Sequence, residues 1–199
     1  MQQTPYILAA LPQLEDEVFY RAVVLIVHHD TDGAFGFVLN LPYTGEDEES
    51  TQLVAEIQDE RGEVLLEYEE PLMFGGPAKE EMIFLMHDQS ELGDDDGRVS
   101  DKVFVTADSD VFQDVLTNSE ECKRAFYIGC SSWDPDQLDE EVKNGAWIMV
   151  PFDEKYLFRP PGEEESLSWS ENFWIEVLRS SGVDPLTLMT QGESEFGPN

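Results

Sequence analysis

The sequence predicts a single mixed domain in which many short strands and several helices are arranged about a central antiparallel hairpin. Three observations carry that expectation. Ala22 to Val27 is an uninterrupted, valine-rich apolar run of strand length, the pattern of a strand buried on both faces. Ala34 to Leu39 follows at once, and the step Asp32-Gly33 between the two runs is a strong hairpin signal, because glycine takes the positive φ of a tight turn without steric cost. The chain of 199 residues, 41% of them hydrophobic, is long enough to bury about 70% of its unfolded surface in one core without disulfide or metal staples.

The remaining elements follow in chain order. Tyr6 to Ala10 reads as a first strand that ends at Leu11-Pro12, since proline removes a ladder donor. Leu14 to Tyr20 suits a short helical turn. Beyond the hairpin, Pro42 to Ser50 is an acidic loop. Thr51 to Arg61 places Leu53, Val54 and Ile57 on one helical face, and Gly62 would stop that helix. Leu72 to Phe74 and Met82 to Met86 read as strands joined through Gly75-Gly76-Pro77, and Asp88 to Gly97 as a long polar loop. Val99 to Val105 is a bent strand or strand pair. Asp108 is placed to cap a helix carrying Val111, Phe112, Val115 and Leu116 at core-facing spacing.

Ala125 to Ile128 returns as a strand. Asp134 then fits an N-cap, Pro135 the first helical position and Gln137 the return half of a capping box, with Trp133 and Leu138 as a hydrophobic staple. Lys143 complements the helix dipole, Asn144-Gly145 ends the helix, and Ala146 to Val150 is a further strand. After a Pro160-Pro161-Gly162 connector, Ser168 and Glu171 suit a second capping box. Phe173, Trp174, Val177 and Leu178 give the last helix its apolar stripe, and Gly182 closes it. The domain is expected over residues 1–183, with 184–199 a partly ordered tail and no internal repeat.

Charge weighs against one class of function. Asp and Glu number 44 against 11 Lys and Arg, a formal net charge of -33 with a sequence pI near 4.1. Nucleic-acid binders draw most of their affinity from basic residues that displace condensed counterions, and here those residues are few and scattered. Direct nucleic-acid binding is therefore disfavoured. The acids cluster at Glu46 to Glu49, Asp94 to Asp96, Asp139 to Glu141 and Glu163 to Glu165, as solvated loops or helix faces do. Such a lysine-poor surface suits a salt-rich cytoplasm, where screening relieves self-repulsion, so a halophilic source is expected. Two cysteines, Cys122 and Cys130, are too few for a disulfide framework and form no C-x-x-C pair. The N-terminus lacks a basic n-region and a long apolar segment, which predicts a cytoplasmic protein with no membrane association.

Catalytic signatures are sparse. His29-Asp30 and His87-Asp88 end two expected strands and offer an acid-base or metal pair, the basis of an alternative reading as a hydrolase-type enzyme using His29 or His87 with a carboxylate. Strand-end histidines more often hydrogen-bond turn backbone, and the helical context of an HD-type phosphohydrolase is missing. Cys130-Ser131-Ser132 occupies the place of a nucleophile elbow without its G-x-S-x-G pattern. No phosphate-cradling glycine loop occurs, and Gly75-Gly76-Pro77 reads as a tight turn. With so many carboxylates, acidic pairs arise by chance.

The stretches LAALPQLEDEVFYRAV, HHDTDGAFGFVLN, FGGPAKEE, IGCSSWDPDQLDEEV and NGAWIMVPFDEKYLF, in this order and spacing, resemble the YqgE/AlgH family of largely uncharacterised bacterial proteins, across about Leu8 to Gly182. The resemblance implies an α+β fold: a compact domain with a bent, bifurcated mixed sheet forming a pseudo-barrel, flanked by helices. It implies no established activity, metal or cofactor. Some members are named as transcriptional regulators, a label resting on genetic association. Two departures stand out. Leu41 precedes Pro42 where the family usually has arginine, and Ser132-Trp133-Asp134-Pro135-Asp136-Gln137-Leu138 replaces a pattern with two glycines.

The expectation is a non-catalytic cytoplasmic protein that binds a protein or small-molecule partner, with a regulatory role. Its candidate ligand-binding surface gathers Pro12, Asn40, Gly75, Gly76, Pro77, Trp133 and Gln137, on the premise that their turns converge at one end of the sheet. The rival enzyme needs His29 or His87 in a cleft, or a reactive Cys130-Ser131 turn. A third reading, assembly, would work through the apolar C-terminal helix around Trp174.

Overall fold

A computed structural model of the chain describes residues 4–14, 16–44, 52–58, 64–118, 122–159, 166–185 and 187. The first strand, β1 (Tyr6–Ala10), is followed by the hairpin of β2 (Val23–Asp30) and β3 (Gly33–Val38), turning at Asp32-Gly33. Next come β4 (Gln52–Gln58), β5 (Val64–Phe74), β6 (Ala78–His87), β7 (Phe104–Thr106), α1 (Ser109–Asn118), β8 (Arg124–Trp133), α2 (Gln137–Lys143), β9 (Trp147–Pro151) and α3 (Ser166–Ser180). The result is an α+β domain with a nine-stranded mixed sheet, open and forked, flanked by three helices among the described residues. None of those helices is long and apolar enough to cross a membrane.

The fork lies along β8. On one edge β8 pairs antiparallel with β6; on the other its first half pairs parallel with β5 (Phe126 to Ile128), and its second half pairs antiparallel with β3 (Ser131 to Trp133). The strand order β4-β5-β8-β3-β2-β1-β9 therefore changes direction where β5 departs and β3 takes over. Gly75-Gly76 sits in that junction. The Gly75 amide donates to Ile128, while its carbonyl accepts from the Val38 amide at 3.0 Å and the Ser131 hydroxyl at 3.0 Å. A Cβ at Gly76, whose φ is +143°, would lie 2.4 Å from Ser131 Oγ and 2.5 Å from the Cys130 carbonyl oxygen, so only glycine fits.

The valine-rich run is buried on both faces, as its unbroken apolar character implies. Val23 and Leu25 join one core with Phe37, Met86 and the α3 residues Phe173, Trp174, Val177 and Leu178. Val24 and Ile26 point the other way, to Trp133, Leu138 and Trp147 beneath α2. A third cluster packs α1 through Val115 and Leu116 against Leu85 and Phe126.

Several elements differ from the sequence expectation. Thr51 to Arg61 does not form a helix: Gln52–Gln58 is β4, paired antiparallel with β5 from Gln52↔Pro71 to Gln58↔Val64. Leu53, Ala55 and Ile57 alternate with the period of a strand as readily as Leu53, Val54 and Ile57 fit a helical face, and pairing with β5 decides between the two. The strand expected at Ala125 to Ile128 runs on to Trp133, bending at Gly129 with φ +66°. Of the Val99 to Val105 stretch only Phe104 and Val105 are strand, at the start of β7, with an isolated bridge between Arg98 and Phe104. In the stretch expected as a short helical turn, Glu17 to Tyr20 form a turn and no helix.

The start of α2 is also different. Asp136 occupies the N-cap with φ 65° and makes no side-chain cap, although the return half of the capping box forms, Asp134 N donating to Gln137 Oε1 at 3.0 Å. Ser168 lies inside α3, which begins two residues earlier. Asp108 does cap α1, its carboxylate accepting from the Asp110 amide at 2.8 Å. The acidic runs at 46–49 and 163–165, the Gly62 stop, the Pro160-Pro161-Gly162 connector and most of the tail lie outside the described residues.

Candidate functional site

The seven residues expected to form one surface do not gather on one exposed face. Asn40, Gly75, Gly76 and Trp133 are buried, Pro12 is half-buried, and only Pro77 and Gln137 are exposed. Gly75 and Gly76 serve the sheet junction. Trp133 Nε1 donates to Glu141 at 3.0 Å, as Trp147 Nε1 does at 2.8 Å, so one carboxylate ties α2 to β8 and β9. Gln137 donates to the other oxygen of Glu141 at 2.8 Å. The premise of converging turns fails because Trp133 sits beside Ala34 near one end of β3, whereas Asn40 lies beyond the other end.

The histidines are also apart. His29 lies opposite Ala34, which lies opposite Trp133 on β8, while His87 lies opposite Arg124 on the same strand. Positions 124 and 133 are nine residues apart, about 30 Å of strand. Tyr6 Oη and His29 Nδ1 are 2.7 Å apart, and His29 Nε2 lies 3.7 Å from Asp139, a link between β1, β2 and α2. Burial and the Asp139 charge push the Tyr6 hydroxyl up to about 12. His87 is buried against Phe104 and accepts from the Gln89 amide at 3.3 Å, and its Nε2 has no hydrogen-bond partner. Burial lowers its pKa, against the opposing charges of Asp88 and Asp94.

Cys130 and Ser131 are buried within β8 and form no elbow: Ser131 donates to Gly75, and burial raises the Cys130 thiol. Among the described residues no group of three or more His, Cys, Asp or Glu is arranged to hold a metal ion.

Of the seven, Asn40 lines a formed groove of about 280 Å³, together with Val18, Tyr20, Arg21, Leu41 and Glu171. The chain builds it from a turn. Asp16 Oδ1 accepts from the amides of Val18 at 2.8 Å and Phe19 at 3.0 Å, and Ala22 N returns to the Phe19 carbonyl. Phe19 turns inward onto Trp133 and Trp147, leaving the next ring, Tyr20, 59% exposed. Arg21 adopts a left-handed backbone (φ 55°) as the chain enters β2. Asn40 holds that geometry: its Oδ1 accepts from the Val23 amide at 2.7 Å, and its Nδ2 donates to the carbonyls of Arg21 at 2.9 Å and Ser170 at 3.0 Å.

The Arg21 guanidinium lies 4.9 Å from the Tyr20 ring centroid and 5.4 Å from that of Trp174, and donates to Glu171 at 2.5 Å. Its charge is thus paired within the protein and its planar head lies near two aromatic rings. A shallower depression continues the surface past Tyr20 to Leu14, Asp16 and Glu17. The groove combines a largely apolar floor, a part-exposed Tyr-Arg stack and an acidic rim, features of recognition surfaces rather than of acid-base sites. Tyr20 and Arg21 carry no motif; their role comes from a positive φ and from the distant partners Glu171 and Trp174.

A second cavity, of about 410 Å³, opens where Val27, His28, Phe35 and Phe84 face the loop carrying Asp95 and Arg98. Its two basic side chains are paired, His28 with Asp30 at 2.8 Å and Arg98 with Asp95 at 2.7 Å.

The family model for AlgH-like proteins matches residues 7–186. The UPF0301 protein YqgE of Escherichia fergusonii is 30% identical over 183 residues, covering 92% of this chain and 94% of its own. The UPF0301 protein of Citrobacter koseri matches at the same identity and coverage. Among solved structures, AlgH from Pseudomonas aeruginosa superposes with a TM-score of 0.63 at 24% identity, over 96% of this chain and 97% of the other. A Corynebacterium diphtheriae protein superposes with a TM-score of 0.62 at 20% identity, over 90% and 87%. These two likenesses concern the fold; the family match, spanning the strands, the forked junction and the groove described above, shows that the chain belongs to the AlgH-like family.

Proposed function

We propose that this protein is a non-catalytic cytoplasmic binding protein with a regulatory role, and that the groove at Tyr20, Arg21 and Asn40 is its recognition surface. The observation that carries the reading is the Tyr20 ring, exposed beside an apolar cleft whose one cation is already held by Glu171. Tyrosine and arginine set in such clefts dominate the energetics of many interfaces. Regulation through direct DNA contact is disfavoured, because a chain of net charge -33 repels phosphate and the groove offers no unpaired cation. The enclosure of His29, whose side chain is 6% exposed, and the burial of His87 and Cys130 weigh against a hydrolase, since none of the three lines the groove or the second cavity described above.

Site-specific photo-crosslinking in the source cells tests this reading. A photoreactive residue replacing Tyr20 is expected to give a discrete adduct, and the same residue replacing the exposed Gln137 on α2 is expected to give none. An adduct at Gln137 alone, or at neither position, overturns the assignment of the groove.

A further inference from the structure

We infer that the partner of the groove is a basic, amphipathic peptide segment, presenting an apolar side chain to the cleft and lysine or arginine to its rim. The inference rests on the reading of the groove as the recognition surface and adds the chemistry of what it recognises. The floor is apolar, from Val18, Ala22 and Leu41, and Tyr20 extends that surface toward Leu14. Such a floor takes hydrophobic anchors, since burying them releases ordered water.

The rim sets the sign of the charge. Arg21 and Glu171 cancel one another across 2.5 Å, so what remains around the floor is the negative charge of Asp16 and Glu17. No cation among the lining residues is left to repel lysine or arginine, and an acidic partner would meet like charge at every approach. The field of the whole chain adds to this, drawing basic segments from a distance while the cleft selects those that also carry an apolar anchor. Length favours a peptide over a compact ligand, because the cleft and the shallower depression beside it share Glu17 and Tyr20, so that an extended segment can reach from one into the other.

Fluorescence anisotropy with a labelled dodecapeptide of six lysines and six leucines tests the inference, at about 0.5 M salt, where long-range attraction is screened. The probe is compared with a six-glutamate, six-leucine counterpart and with dodecalysine. Saturable one-to-one binding of the lysine-leucine peptide is expected, at least tenfold tighter than either comparison peptide. Tyr20→Ala is expected to weaken it at least tenfold and Glu17→Lys at least threefold. Both positions are exposed, so the fold is retained, as thermal melts would verify.

Binding to the Tyr20→Ala variant within twofold of wild type would overturn the inference, because whole-surface charge would then account for it. Dodecalysine binding as tightly would do the same, pointing to any polycation. Tight binding of the glutamate peptide would reverse the sign of the rim. If the lysine-leucine peptide fails while the crosslink at Tyr20 forms, the basic partner is wrong and the groove stands. If both fail, both readings fall.

Discussion

At the scale of single residues the groove depends on Asn40, which is 3% exposed and uses its oxygen and its amide nitrogen to hold β2, the Arg21 turn and α3. Asn40→Ala leaves the buried Val23 amide without an acceptor, a cost of about 2–3 kcal/mol. For a domain of this size that lowers Tm by roughly 4–12 °C. Asn40→Asp keeps the acceptor for Val23 but sets a carboxylate against two carbonyls, so it should be the more destabilising of the two in a thermal melt. His87 supplies a pH signature. Its folded pKa lies below the ordinary value of 6.5, so the unfolded chain takes up the proton first as pH falls. Stability linked to His87 is full above about pH 6.5 and is lost as pH drops through the folded pKa. In paired melts between pH 7 and 5.5, His87→Gln should flatten the fall in Tm relative to wild type; an unchanged slope would remove His87 as its source. What sequence reasoning could foresee at this scale was Asn40 as a residue of note; it could not foresee Tyr20 and Arg21, whose setting comes from Trp174 and Glu171 about 150 positions away.

At the scale of elements, local pattern was decisive where burial was simple. The β2–β3 hairpin, α1 and the stripe of α3 were all legible, since their apolar spacing matches the faces they bury. It failed at β4, where the pairing partner rather than the spacing selects strand, and at β8, where Cys130 to Ser132 continues a strand whose neighbour changes from β5 to β3. A sheet that forks cannot be read from local periodicity, because the fork is a property of three strands at once. The attachment of α2 makes a prediction of its own. Glu141 accepts from both Trp133 and Trp147, and Glu141→Ala should strand two buried indole donors at a cost of about 2–3 kcal/mol. Glu141→Gln keeps an acceptor and should cost less, with tryptophan fluorescence reporting both changes.

For the whole molecule the governing quantity is the net charge of -33. Self-repulsion on this scale opposes the compact state, and salt relieves it, the Debye length falling from about 10 Å at 0.1 M to about 3 Å at 1 M. Thermal stability should therefore rise steadily with added sodium chloride, and a flat or falling Tm would argue against adaptation to a salt-rich cytoplasm. The same charge frames the proposed function, since it disfavours nucleic acid and would draw a basic partner of the kind inferred for the groove. The central claim, recognition through the groove, is tested most directly by native mass spectrometry of wild type and a Tyr20→Ala, Leu41→Ala variant, each purified gently from the source cells at high salt. The account predicts a reproducible extra mass on the wild type that is absent from the folded variant. A bare wild-type protein, or an extra mass that persists on the variant, would contradict it.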